Sequence, residues 1–253
     1  MIAFTRAVSP LITECELTFL ERAPIDFDRA VEQLEAYRRA LRELGVDVRN
    51  LPDAADQPDS VFVEDTAVVV DEVAVVTYPG AASRRDEVAT VRSALSRHRR
   101  LREIESPGTL EGGDVFQVER TVYVGRSTRT NREGIEQLRQ HLAPYGYEVL
   151  TVPMTGCLHL GTGCSYIGDG RALCNRSWVD VAALKGLEIV DVAETEPWAA
   201  NTLRVGDSIL MAAGFPATTR RLQETGYEVR DVDISEFLKA EGGVSCMSLR
   251  IND

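Results

Sequence analysis

Five residues of this 253-residue chain carry side chains suited to chemistry and recur at nearly even spacing. They are Asp65, Glu111, His159, Asn201 and Cys246, separated by 46, 48, 42 and 45 positions. A cysteine thiolate is a nucleophile, and an imidazole moves protons near neutral pH. Paired carboxylates suit a planar cation, because a guanidinium presents its N–H donors in a fork that a carboxylate matches bidentately. A cysteine protease needs one orienting partner for its histidine and has little use for a second carboxylate beside the substrate. If the five converge, they would hold a guanidinium with its central carbon over the thiol. Singly, each has a plainer reading. A free cysteine packs as a small hydrophobe, and His159, between Leu158 and Leu160, reads as a satisfied core histidine. Glu111 reads as a turn carboxylate before Gly-Gly-Asp, and Glu64 and Asp65 as solvated charges at a strand end.

The elements that must position this set also repeat, as strand, turn, strand, helix, strand. The β-branched run 61–70 turns at Asp71-Glu72 and returns over 73–78, with a helix over about 84–98. A second unit runs through 109–118, 121–125, a helix at about 131–143 and a strand at 147–152. A third runs through 157–167, 171–174, a short helix at about 178–185 and a strand at 187–192. A fourth runs through 199–205, 208–213, a helix at about 217–225 and a strand at 227–232. The fifth is split: 243–251 supplies its first strand, 1–7 its second, and a helix at about 28–44 and a strand at 46–51 complete it. A period near 45 fits a radial repeat whose termini close the ring, with equivalent positions facing the axis. It also fits βαβ units in a doubly wound sheet, so the pattern leaves both architectures open. Segment 13–25, after the closing strand, is a candidate lid by its position.

Composition narrows the partners. The chain is 44% hydrophobic and 27% charged, ordinary for a globular protein with a substantial core. A net charge of −12 suits neither nucleic acid nor an anionic membrane and tolerates a cationic small substrate. Five cysteines without a C-x-x-C pair predict a reducing, cytoplasmic setting. The N-terminal segment lacks the apolar core of a signal peptide, and no run is long enough for a membrane helix. No phosphate-binding glycine loop and no G-x-S-x-G elbow occurs. Cys157 and His159, two apart on a predicted strand, would share a face. Their spacing matches no zinc finger, so no structural metal and no cofactor are expected.

Blocks spanning nearly the whole chain carry a resemblance. They are PDSVFVED (58–65), PGAxSRR (79–85), PGTLEGGD (107–114), SxRTN (127–131), LHL (158–160), AAN (199–201) and GGVSCMSLR (242–250). Together they resemble the dimethylarginine dimethylaminohydrolases of the pentein, or guanidino-group-modifying, superfamily. The resemblance implies an α/β fold, a five-bladed ββαβ propeller formed by a single catalytic domain over 1–253. It implies hydrolysis of Nω-methylated arginine to citrulline and an alkylamine through an S-alkylthiouronium on the cysteine. Catalytic roles then fall to Cys246, His159 and Glu111, with Asp65 clamping the guanidinium beside Glu111. Arg84 and Arg129 match residues that hold the substrate α-carboxylate. Asp59, Glu64 and the Leu17 backbone match positions near the α-amino group or its loop. Dimers occur among such relatives, so a homodimer is open. Gly161 departs from the pattern, standing where these enzymes commonly have lysine and arginine deiminases aspartate. Two other functions stay open: hydrolysis of arginine or another guanidine, and a non-catalytic propeller that binds a partner.

Overall fold

The computed structural model describes residues 1–252, which form five three-stranded sheets. In chain order the strands are β1 (Ile2–Thr5), β2 (Asp47–Asn50), β3 (Ala67–Val69), β4 (Val73–Val76), β5 (Arg100–Glu103), β6 (Val115–Val118), β7 (Thr121–Arg126) and β8 (Glu148–Pro153). They continue as β9 (Cys164–Gly168), β10 (Arg171–Cys174), β11 (Glu188–Asp191), β12 (Thr202–Val205), β13 (Ser208–Ala212), β14 (Glu228–Val232) and β15 (Leu249–Ile251). The sheets are ordered β3-β4-β5, β6-β7-β8, β9-β10-β11, β12-β13-β14 and β15-β1-β2. Each middle strand pairs antiparallel with the first strand and parallel with the third. The antiparallel step takes a tight turn, whereas the parallel step needs a crossover. Middle strands such as β4 (VAVV) and β13 (SILMA) are buried at every residue, which is why they read as continuous apolar runs.

Four crossovers carry a true helix: α1 (Phe27–Glu43), α2 (Val88–Leu95), α3 (Arg132–Leu142) and α5 (Pro216–Glu224). Two single helical turns, α4 (Leu160–Gly163) and α6 (Ser235–Leu238), lie near the site. The longest helix, α1, starts where the Asp26 carboxylate accepts the Arg29 N–H, and it buries Ala30, Leu34, Tyr37 and Leu41 on one stripe. The third crossover holds only a 3₁₀ turn at Val181–Ala183 in place of the expected helix.

First strands are shorter than the sequence suggested. The run 61–70 is a 3₁₀ turn over Val63–Thr66 before β3, and β15 begins three residues after Cys246. His159 is not within a strand: it sits in extended backbone immediately before α4. The chemistry-bearing residues thus lie in the turns leading into the first strands. Residues from all five first strands line one cavity of about 490 Å³. Among the described residues, no helix is long and apolar enough to cross a membrane.

Candidate active site

Asp65, His159 and Cys246 line a second, much tighter cavity of about 20 Å³, with Glu16, Asp59, Arg84, Arg129, Leu158 and Glu241 among its other walls. Glu111 reaches the same cluster from below and is fully buried. Its Oε2 lies 2.7 Å from His159 Nε2, and its Oε1 accepts the Gly80 N–H at 3.1 Å. On the other side of the imidazole, His159 Nδ1 is 3.8 Å from Asp65 Oδ1. Asp65 is fixed by the Gly113 N–H at 2.9 Å and by Arg84 at 2.7 Å. A Cβ on Gly113 would fall 2.6 Å from Asp65 Oδ1 and 2.7 Å from His159 Nδ1, so the absence of a side chain there lets the two groups stand side by side.

Cys246 is held by its turn. The Glu64 N–H donates to the Cys246 carbonyl at 3.1 Å, and the Gly243 N–H donates to Sγ at 3.3 Å. Next to it, the Ser245 hydroxyl donates to Glu64 at 2.7 Å and its N–H to Asn201 at 3.1 Å. Asn201, the fourth of the evenly spaced residues, also donates to the Gly161 carbonyl at 2.9 Å, so it ties units three, four and five together. The space beside Gly243 belongs to Asn201, whose Oδ1 would lie 2.2 Å from an added Cβ.

Not every candidate residue lines the cavity at the thiol. Glu64 turns away from it: the carboxylate bonds Ser245 and, at 3.2 Å, Arg250, and it lines the larger cavity with Gly113, Gly161 and Ser245. Arg84 is buried and already engaged by Asp65 and by Glu87 at 2.9 Å. Arg129 is less committed, with Glu111 at 3.5 Å and the Thr18 hydroxyl at 3.2 Å. Asp59 accepts the Glu16 N–H at 3.2 Å, at the foot of the segment that carries Leu17. Asp114 was not singled out from sequence, yet it accepts the Leu160 N–H at 2.9 Å and the Ser127 hydroxyl at 2.6 Å, anchoring the turn that presents His159. Its signal was the Gly-Gly-Asp that follows Glu111.

Burial disfavours a charged His159, but Asp65, Glu111 and Asp114 outweigh it and lift the imidazolium to about 9. Burial likewise opposes ionisation of Glu111. The hydrogen bond and charge of His159, with Arg84 and Arg129, outweigh that and hold its carboxyl below the ordinary range. Both directions describe one ion pair. Burial pushes the Cys246 thiol well up, and the charges of Glu64 and Asp65 push it further. Asp65, Glu111 and His159 offer ligand atoms within 4.8 Å of one another. Arg84, 2.7 Å from Asp65 and 4.0 Å from Glu111, already supplies positive charge to those carboxylates.

His159 has a folded value near 9 against an ordinary 6.5, so its proton stabilises the fold fully below about pH 6.5. That contribution is lost as pH rises through about 9. Between about pH 7 and about pH 10 the wild-type Tm should fall more than that of His159→Gln, and parallel profiles would contradict the pair.

A buried thiol, a protonated imidazole and carboxylates placed for a planar cation, set among five small sheets, define an enzyme of covalent catalysis on a guanidine-like group. The family model for N,N dimethylarginine dimethylhydrolase, eukaryotic, matches residues 20–252, and the chain belongs to this family. An N(G),N(G)-dimethylarginine dimethylaminohydrolase from Streptomyces coelicolor is 41% identical over 252 residues, covering 99% of this chain and 97% of the relative. The solved structure of the Pseudomonas aeruginosa enzyme, a cysteine-to-serine mutant complexed with citrulline, superposes with a TM-score of 0.94 at 35% identity, covering 99% and 98% of the two chains. A dimethylarginine dimethylaminohydrolase with histidine replaced by glycine, solved as an adduct with S-methyl-L-thiocitrulline, gives 0.94 at 36% identity, covering 99% of each chain. The chain shares the pentein fold with these structures.

Proposed function

We propose that this chain hydrolyses Nω-methylated L-arginine to L-citrulline and an alkylamine through a thiouronium on Cys246. The observation that carries the reading is the meeting of Cys246, His159 and Asp65 at one cavity, with Glu111 hydrogen-bonded to His159. Asp65 and Glu111 receive the guanidinium. Its positive charge offsets the carboxylates that keep the thiol protonated, so binding itself favours the thiolate, and the thiol proton leaves to solvent because His159 already carries its own. Sulfur then adds to the guanidinium carbon, and His159 gives its proton to the departing amine as the C–N bond breaks. The neutral imidazole next takes a proton from water, which adds to the same carbon. Collapse expels the thiolate and leaves the ureido group of citrulline. Glu111 keeps the imidazole oriented and basic enough for both transfers. No step requires a metal or a cofactor.

Arg129 and Arg84 are assigned to the α-carboxylate, and Asp59 and the Leu17 backbone to the α-amino end, with Glu64 acting from behind the Cys246 turn. The whole chain serves as one catalytic domain, its ring closed by the terminal strands. Support for that closure is the pairing of Ile2 with Ile251 and Phe4 with Leu249.

The deciding experiment is a panel of L-arginine and its methylated derivatives with the released amine identified. Dimethylamine from Nω,Nω-dimethylarginine is expected at the highest kcat/KM. Ammonia from arginine at a higher kcat/KM would move the assignment to a deiminase.

A further inference from the structure

The cavity at Cys246 has room for about one water molecule. A dimethylarginine can enter only if part of the wall moves. Glu16 lines that cavity beside Glu241, and the residues that follow it, 18–20, are attached to Glu241 in a specific way. One oxygen of Glu241, Oε1, accepts three consecutive backbone N–H groups, from Thr18 at 3.0 Å, Phe19 at 2.5 Å and Leu20 at 2.6 Å. Successive N–H groups converging in this way form an anion-binding nest. The other oxygen, Oε2, is buried and has no hydrogen-bond partner among the described residues. A carboxylate oxygen removed from water without a donor is unfavourable, so the site lacks a donor at that point. Glu241 is also one of the few non-glycine residues with a left-handed backbone, at φ 57°.

The surroundings say which donor fits. Glu241 lines the same cavity as Glu16 and Asp59, and Arg84 and Arg129 line it too. Carboxylates and guanidinium groups at one mouth match the two charges of an α-amino acid. Arg129 bonds Thr18, one of the three residues that Glu241 holds, so the cationic and anionic parts of the mouth meet through the latched segment.

We propose that Glu241 is a specificity-determining residue: Oε1 latches residues 18–20 over the pocket, and Oε2 accepts the α-ammonium of the substrate. The binding half rests on the function proposed above, whereas the latch does not. Substrate binding thereby completes the hydrogen bonding of a residue that also holds the wall, coupling closure to recognition of the amino-acid end.

The test pairs two variants with two measurements on the full chain. Glu241→Gln keeps a carbonyl oxygen for the three N–H groups but removes the charge. Its kcat/KM should fall about tenfold or more for Nω-methyl-L-arginine, mainly through KM, and clearly less for the analogue lacking the α-amine. An equal loss for both compounds, or a loss for neither, would overturn the ammonium assignment. Glu241→Ala removes the acceptor, and hydrogen exchange of the amides of Thr18, Phe19 and Leu20 should accelerate at least about tenfold without substrate. Unchanged exchange there would overturn the latch. If wild-type protein turned over neither compound, the proposed function would fail, and with it the ammonium assignment, while the exchange measurement would still decide the latch.

Discussion

Cys246→Ser is expected to lower turnover of Nω,Nω-dimethylarginine by at least about 10⁴-fold while leaving its binding within a few-fold. A hydroxyl is far harder to ionise than a thiol, and the site offers no free base to help it, because Glu111, Asp65 and Asp114 keep His159 protonated. Even the native thiol is driven up by burial and by two carboxylates. Activation must therefore come with the cationic substrate, and a serine gains too little from it. Binding survives because Asp65 and Glu111 are untouched and the turn keeps the bonds of Ser245, Asn201 and Glu64, while a serine oxygen can still accept the Gly243 N–H that sulfur accepts now. Calorimetric titration with single-turnover chemistry separates the two quantities. Undiminished citrulline formation would remove Cys246 from the mechanism.

Removing the imidazole should expose the second half of the reaction. In His159→Gly, a substrate whose leaving group needs no proton, such as S-methyl-L-thiocitrulline, can still be attacked, and methanethiolate departs. The resulting thiouronium then lacks the base that activates water. Hydrolysis is expected to slow by about 10² to 10⁴-fold, so the adduct on Cys246 accumulates and appears in an intact-mass spectrum. Glu111 keeps partners in the variant, with the Gly80 N–H at 3.1 Å and Arg129 at 3.5 Å, so a folded protein is expected. A clean unmodified mass at saturating substrate would place the proton transfers elsewhere.

Much of this arrangement was legible in the order of residues, because each unit solves the same packing problem and so repeats the same pattern. The buried middle strands announced themselves as apolar runs, and the near-even spacing of Asp65, Glu111, His159, Asn201 and Cys246 marked the turns that lead into the first strands. What escaped is also physical. Strand β5, with sequence RLRE, is mostly exposed and charged, so nothing in its composition separates it from the helix before it. The run around His159 looked like a strand because it is apolar, yet Leu160 and its neighbours form a helical turn tied to Asp114. The commitment of Arg84 to Asp65 and the bonding of Glu64 to Ser245 and Arg250 depend on contacts between separate segments, which no local pattern encodes. Glu241 was not singled out; its partners Thr18, Phe19 and Leu20 lie 223, 222 and 221 residues away in the chain.

The pairing of β15 with β1 has a consequence for biosynthesis. The middle strand of that sheet, β1, is translated before every other described strand, and its antiparallel neighbour β15 after all of them. Ile2 must wait for Ile251. The nucleophile is translated just before that neighbour, so a nascent chain holds Asp65, Glu111 and His159 long before it holds Cys246. Early units can assemble in order as they emerge, whereas the fifth sheet needs contacts across almost the entire chain, the kind that folds slowly. Activity during refolding should therefore appear late, after most of the secondary structure has formed.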